Sequence, residues 1–270
     1  MNFGHLYSSA LDQELGTDDS TRLFTTARRQ RAINQAQLQW CDLTECAIRQ
    51  STVTCSNAVG EYNLLSTVNV PAGDFIRLAK QGIEYHLISS GSTASTTFQA
   101  GDDLPRREIP WLNQYEPGWR GTTSGTPAAY YERMDGGRRL LGLVPPPDIG
   151  SSETGKVILP YVAKPSSMTS DTNVPFTFTN TTAVTTTRDD LEVYHQALVH
   201  YAAHDLEKLR LNTEASQAQL QVFLGYVQRF LQGLRPHGLQ TVRTARNYFQ
   251  SARQQRRDED DPRIPLGNLS

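Results

Sequence analysis

Tyr194-His-Gln-Ala-Leu-Val-His-Tyr-Ala-Ala203 sets the reading of the last third of the chain. Leu191, Tyr194, Leu198, Tyr201 and Ala202 recur at helical spacing and give one apolar face to a helix expected over 189–210. Asp189 and Asp190 precede it, where the unpaired N–H groups of a helix start favour negative charge. After Asn212-Thr213 a second stripe runs through Leu220, Phe223, Leu224, Val227, Phe230, Leu231 and Leu234, a helix expected over 213–234. Two amphipathic helices with so short a joint read as an antiparallel hairpin. Pro236 and Gly238 close this part.

The N-terminal end is helical by the same criterion. Phe3, Leu6, Tyr7, Ala10 and Leu11 form one stripe, and Gly16 suits the left-handed residue that ends a helix over 3–15. Asp18, Asp19 and Ser20 offer capping oxygens for a longer helix over 21–45, whose clearest stripe is Ile33, Ala36, Trp40 and Leu43. Its first half, with Arg28, Arg29 and Arg31, reads as polar on most faces.

Between these helical ends, 47–165 reads as β-rich. Ser51–Cys55 and Gly60–Leu65 suit two strands around a turn. Asp74–Lys80 and Ile83–Ile88 flank Gln81-Gly82, a hairpin signal. Pro127–Arg133 and Arg138–Val144 flank Asp135-Gly136-Gly137, another, and Lys156–Lys164 gives one more strand. Glu108–Trp119 suits a short helix cut by Pro117-Gly118, and Pro145-Pro146-Pro147 a rigid loop. Ser89–Thr97 is a loop. Ser166–Thr187 is a Ser/Thr-rich loop or arm in which Val174, Phe176 and Phe178 alternate with polar residues.

Composition limits the function classes. The chain has 270 residues, 37% hydrophobic, with 11 Tyr and 9 Phe, enough to build a core. A net charge of -2 gives no global attraction to nucleic acid or an anionic membrane. Cys41, Cys46 and Cys55 form no CxxC pair, and reduced, partly buried thiols are expected. The first residues lack the basic and apolar regions of a signal peptide, and no apolar run approaches membrane-spanning length. Synthesis in a cytoplasm follows as the expectation.

Chemistry-bearing patterns are sparse. His200 and His204 have the i, i+4 spacing of a metal site, but no Glu follows the first His, and packing histidines are the plainer reading. Asp258–Asp261 (DEDD) lacks the Gly-bearing spacing of a calcium loop. Asp102-Asp103 and Asp189-Asp190 read as turn and cap residues, Gly136-Gly137 sits in a hairpin turn, and there is no G-x-S-x-G elbow. No catalytic, cofactor-binding or metal residues are expected, and no enzyme activity.

The tail is distinctive. Between Ala215 and Arg257 there is no acidic residue, while Arg229, Arg235, Arg243, Arg246, Arg253, Arg256 and Arg257 are basic; DEDD then reverses the sign. Contact with a nucleic-acid backbone, docking on a protein partner and a solvated tail all remain open. Partner docking leads, because charges of both signs in series specify register better than they grip a uniform polyanion. Its candidate residues are Arg243, Arg246, Phe249, Arg253, Arg256, Arg257, Ile264 and Leu266.

Five short stretches, in this order, resemble the head-to-tail connector adaptors of tailed bacteriophages. They are Ile33-Asn-Gln-Ala-Gln37, Val59-Gly-Glu-Tyr-Asn-Leu64, Gly125-Thr-Pro127 before Tyr130-Tyr131, Leu143-Val-Pro-Pro146 and the Tyr194–Ala203 string, spanning about 3–234. The resemblance implies an α+β fold: a helical bundle, made of the N-terminal helix pair and the C-terminal helix hairpin, with an inserted β-hairpin-rich region and an extended tail. It implies an adaptor domain over 1–234 and a C-terminal segment, here 235–270, that docks on the portal protein. Such subunits form a ring, commonly a dodecamer, beneath the portal in the virion. A downstream tail or nozzle protein lies below, and genomic DNA passes through the lumen without sequence readout. No membrane is involved. Two departures stand: Ser166–Thr187 intervenes where the family passes quickly to the Tyr-His helix, and the tail past 235 carries none of the five motifs. Another virion tail or stopper subunit, or a nucleic-acid-binding module using the Arg-rich segment, is the alternative.

Overall fold

A computed structural model of the chain describes residues 1–16, 24–65, 70, 72–89, 102–179 and 185–233. These residues form a mixed α+β fold. The chain divides into two compact units, Met1–Leu224 and Gly225–Ser270.

Helix α1 covers residues 3–15. It is α-helical at Phe3–His5 and Leu11–Leu15, with a π-helical turn at Leu6–Ala10 between them. Asn2 caps it by accepting from the His5 amide, and Gly16, at φ 60°, ends it by donating to the Asp12 carbonyl. Phe3, Leu6 and Leu11 are fully buried. Helix α2 is Thr26–Thr44, so it starts later than the sequence suggests. Thr25 caps it, its hydroxyl accepting from Arg28 N, and the expected caps Asp18–Ser20 lie outside the described residues. Arg28 and Arg31 in the first half of α2 are exposed, as the polar reading expects, but Arg29 is not. Arg29 is buried, with Nε donating to the Phe24 carbonyl at 2.9 Å and Nη1 2.6 Å from an Asp12 oxygen, which ties α2 to α1.

Strands β1 (Ile48–Cys55), β2 (Glu61–Asn63), β3 (Phe75–Leu78), β4 (Ile83–Ser89) and β5 (Asp102–Leu104) follow. Then come helix α3 (Ile109–Tyr115), a 3-10 turn at Trp119–Gly121, and strands β6 (Ala129–Asp135), β7 (Arg138–Val144) and β8 (Glu153–Ala163). β8 is the spine of the larger sheet. It pairs with β1 along one edge, and along the other with β4 over 153–158 and β3 over 161–163, all antiparallel. β5 extends this sheet beyond β4. A smaller sheet has the order β2-β7-β6.

Two expected hairpins are therefore not hairpins. β3 and β4 lie end to end along one edge of β8 as a single interrupted strand, with Lys80 and Gln81 looping out at the break. Pro160 sits opposite that break. Its carbonyl accepts from Ala79 N at 2.8 Å, and having no N–H it cannot return a ladder bond. β1 and β2 separate into different sheets, and the turn between them is fixed by the Tyr62 hydroxyl, which bonds the backbone of Ser56 and Val59. The β6–β7 hairpin forms as the sequence indicates.

In the Ser/Thr-rich stretch, strands β9 (Thr177–Thr179) and β10 (Thr185–Thr187) pair with each other. Phe176 and Phe178 are buried, while Val174 is exposed. A 3-10 turn at Asp189–Tyr194 leads into α4 (His195–Leu209), and α5 (Thr213–Gly233) follows, with the Asn212 side chain accepting from Ala215 N. α2 packs against α4, and α1 lies against both. The single apolar stripe read from the sequence is too narrow for α4. Ala197, Leu198, Val199, Ala202 and Ala203 are all fully buried, because alanines let neighbours approach on several sides at once. Trp40, also fully buried, is the hub: its ring centroid lies 6.2 Å from that of Phe176, 5.1 Å from Tyr194 and 6.0 Å from Phe223. Of the second unit, Gly225–Gly233 is described; there the Arg229 guanidinium lies 5.8 Å from the Tyr226 ring.

Candidate functional site

The tail residues singled out from sequence, Arg243, Arg246, Phe249, Arg253, Arg256, Arg257, Ile264 and Leu266, all lie outside the described residues, as does DEDD. The histidine pair is placed, and it serves packing. His200 Nδ1 is 2.7 Å from Gln219 Oε1, and His204 Nδ1 is 2.7 Å from the Ser216 carbonyl, so both fasten α4 to the start of α5. Among the described residues no three His, Cys, Asp or Glu side chains converge as a metal site. Asp189 and Asp190 sit in the turn before α4, where Asp190 pairs with Arg188 at 2.7 Å. Cys41, Cys46 and Cys55 are free and buried.

Two of the five family-like stretches meet in the helical core. Asn34 and Gln37, three residues apart on one face of α2, grip the segment that leads to β9. Asn34 Oδ1 accepts from Met168 N at 2.8 Å and its Nδ2 donates to the Met168 carbonyl at 3.0 Å. Gln37 Oε1 accepts from Phe176 N at 2.6 Å, and Nε2 donates to the Ser166 carbonyl at 3.1 Å. Side-chain amides thus satisfy buried backbone that no strand covers. Phe176, at φ 58°, then stacks near both Trp40 and His195. The Ser/Thr-rich stretch is thus held by one of the motifs that carry the resemblance.

The other three stretches meet on the smaller sheet. Gly125 N donates to the Pro146 carbonyl at 2.8 Å, and Leu143 N to that of Gly60 at 2.8 Å. Tyr131, Gly142 and Glu61 stand opposite one another on β6, β7 and β2. Glycine is required in the middle: a Cβ on Gly142 would lie 2.0 Å from Cζ of Tyr131. With that space open, the Tyr131 ring crosses β7 and its hydroxyl donates to Glu61 Oε1 at 2.6 Å. Arg133, two residues along β6 on the same face, grips Glu61 through both Nε and Nη2, at 2.8 and 2.7 Å. The Arg133 guanidinium holds the Glu61 carboxyl below the usual carboxylate range, against the opposing effect of burial. Trp119 packs edge-on against Tyr131 with centroids 4.9 Å apart, joining Leu112 and Val144 in a small core.

These residues open onto a pocket of about 610 Å³ that also takes in Val59, Arg120 and Pro146. The Arg120 guanidinium is exposed and lies 4.6 Å from the Trp119 ring centroid; among the described residues it makes no ion pair. The sequence gives weak notice of this site. The i, i+2 spacing of Tyr131 and Arg133 puts them on one strand face, but nothing local names Glu61 as their partner 70 residues away.

No helix among the described residues is long and apolar enough to cross a membrane. No curated protein matches the chain. A family model does, the one described as SU10 adaptor protein, over residues 1–257. That range takes in the arginine run as well as the five motifs, and stops before DEDD. On a match of this extent, the chain belongs to the SU10 adaptor protein family, a family of phage head-tail adaptors and hence of structural virion components.

Proposed function

We propose that copies of this chain assemble into a ring, most simply a dodecamer, that sits beneath the phage portal, extends the DNA channel towards the tail and performs no catalysis. The observation that carries this reading is the family match over 1–257. In this reading symmetric neighbours would cover apolar side chains that the single chain leaves exposed, such as Leu211, 89% exposed, and Val193, 73%.

In this reading 1–234 is the adaptor body, with α1, α2, α4 and α5 as its helical bundle. Residues 235–270 form the portal-docking tail, through Arg243, Arg246, Phe249, Arg253, Arg256, Arg257, Ile264 and Leu266. A ring presents many tails at once, so modest individual contacts add to a firm attachment. A downstream tail or nozzle protein binds the opposite side, and genomic DNA crosses the lumen without sequence readout. The protein is made in the host cytoplasm and resides at the head-tail connector of the virion.

Deleting 239–270 tests the tail. The shortened chain should fold but bind portal particles more weakly, and replacing Arg243, Arg246 and Arg253 with Glu should act in the same direction as high salt acts on the wild type. Unchanged portal binding by the deletion removes the docking role. A second reading, nucleic-acid binding, draws on the seven arginines and no acids between Ala215 and Arg257. Steeply salt-dependent duplex binding by the full chain, lost on the same deletion, would favour it.

A further inference from the structure

The pocket on the smaller sheet is lined by three charged residues, Glu61, Arg120 and Arg133. Two guanidiniums against one carboxylate leave the lining with one net positive charge. Arg133 is engaged by Glu61 through two hydrogen bonds. Arg120 is the cation outside that pair: it is exposed, lies over the Trp119 ring and makes no ion pair among the described residues, while its charge also bears on Glu61 from a distance. The rest of the wall is largely apolar, and its lip residue Val59 is 41% exposed. About 610 Å³ is room for a few residues of peptide.

We propose that this pocket binds an extended acidic segment of a partner protein, one carboxylate resting on Arg120 and a neighbouring apolar side chain lying against Val59 and Pro146. Charge complementarity selects the acidic group, since one added anion neutralises the lining. It also disfavours a nucleic-acid backbone, which binds through rows of free cations, whereas this lining holds a single guanidinium outside an ion pair. The stacking of Arg120 on Trp119 fixes the fork in advance, so less side-chain freedom is lost when a carboxylate arrives. The pocket involves none of residues 239–270, so its occupant is independent of the tail-docking reading.

The test pans the full chain against a displayed library of random dodecapeptides, with Arg120→Gln, Arg120→Lys and Arg120→Glu in parallel. The wild type should enrich peptides with Asp or Glu beside an apolar residue. The strongest of these, synthesised and titrated by fluorescence anisotropy, should bind Arg120→Gln about tenfold more weakly, with part of the affinity kept by Arg120→Lys. Arg120→Glu should enrich Lys- and Arg-bearing peptides instead. Arg120 is exposed, so these variants should melt as the wild type does. Enrichment without an acidic consensus, or equal binding by Arg120→Gln, overturns the proposal. So does a short DNA duplex that binds in an Arg120-dependent way, or self-association that Arg120→Gln abolishes while no peptide is enriched; these outcomes assign the pocket to nucleic acid or to a second copy.

Discussion

Replacing Gln37 with Ala should destabilise the body far more than its position on a polar-looking helix suggests. The side chain is 1% exposed and makes two hydrogen bonds, accepting from Phe176 N and donating to the Ser166 carbonyl. Truncation leaves the Phe176 amide buried with no acceptor, which costs about 1–3 kcal/mol. Loss of the side chain's packed methylenes adds about 1 kcal/mol. A total of about 2–4 kcal/mol corresponds to a fall in Tm of about 5–15 °C for a domain of this size. Calorimetry reads the fall, and hydrogen exchange reads its cause, because the Phe176 amide should lose protection while amides within β8 keep theirs. Gln35→Ala, exposed on the same helix, is the control and should stay within about 0.5 kcal/mol of the wild type. Asn34 grips the same segment one turn away, so the double variant Asn34→Ala with Gln37→Ala should lose less than the sum of the two single losses. A Gln37→Ala variant that melts within about 2 °C of the wild type, with Phe176 still protected, refutes the clamp.

Other perturbations have defined outcomes. Gly142→Ala places a methyl group where the Tyr131 ring lies, so it should break the Tyr131–Glu61 hydrogen bond and cost about 1–3 kcal/mol, read as a lowered urea midpoint; an unchanged midpoint would mean the ring does not cross β7. His195 is buried, and burial, aided by the Met1 amino group 3.1 Å away, lowers its pKa from 6.5 to about 4. The unfolded chain therefore takes up a proton below pH 6.5 that the folded chain refuses until about pH 4. Stability should be complete above that window and fall by up to about 3 kcal/mol as pH drops through it. His195→Gln should flatten this part of the stability profile, and a wild-type profile already flat there would contradict the assignment. Ellman's reagent should label no thiol of the folded chain and three after denaturation, since Cys41, Cys46 and Cys55 are buried and burial pushes the Cys55 thiol up to about 11; rapid labelling of the native protein would count against this core.

The helical ends were legible because their signals are local. The stripe Phe3, Leu6, Ala10, Leu11 and the cap at Gly16 are each read within four residues of their partners. The strands were legible as segments but not as pairs. Nothing within Phe75–Ser89 reveals that its partner is β8, some seventy residues later, and Gln81-Gly82 carries the same turn signal whether the chain reverses or bulges. Pro160 held the clue, since a proline in a long central strand marks a place where one neighbour is missing. Arg29 was misread for a related reason: its partners, Asp12 and the Phe24 carbonyl, come from an adjoining element that helical periodicity does not register. The motif stretches proved informative beyond their resemblance. Ile33–Gln37 supplies the clamp, and Val59–Leu64, Gly125–Tyr131 and Leu143–Pro146 converge around the pocket. Glu61, Trp119, Arg120 and Arg133 stayed hidden as a group, because the pocket exists only once three strands and a 3-10 turn are brought together.

The central claim is assembly on a portal, and electron cryomicroscopy of the purified full-length chain mixed with portal particles tests it most directly. Closed rings of this chain, seated coaxially under the portal with a channel continuous through both, are the predicted result. Particles in which the portal remains bare while the chain stays monomeric at micromolar concentration would contradict it.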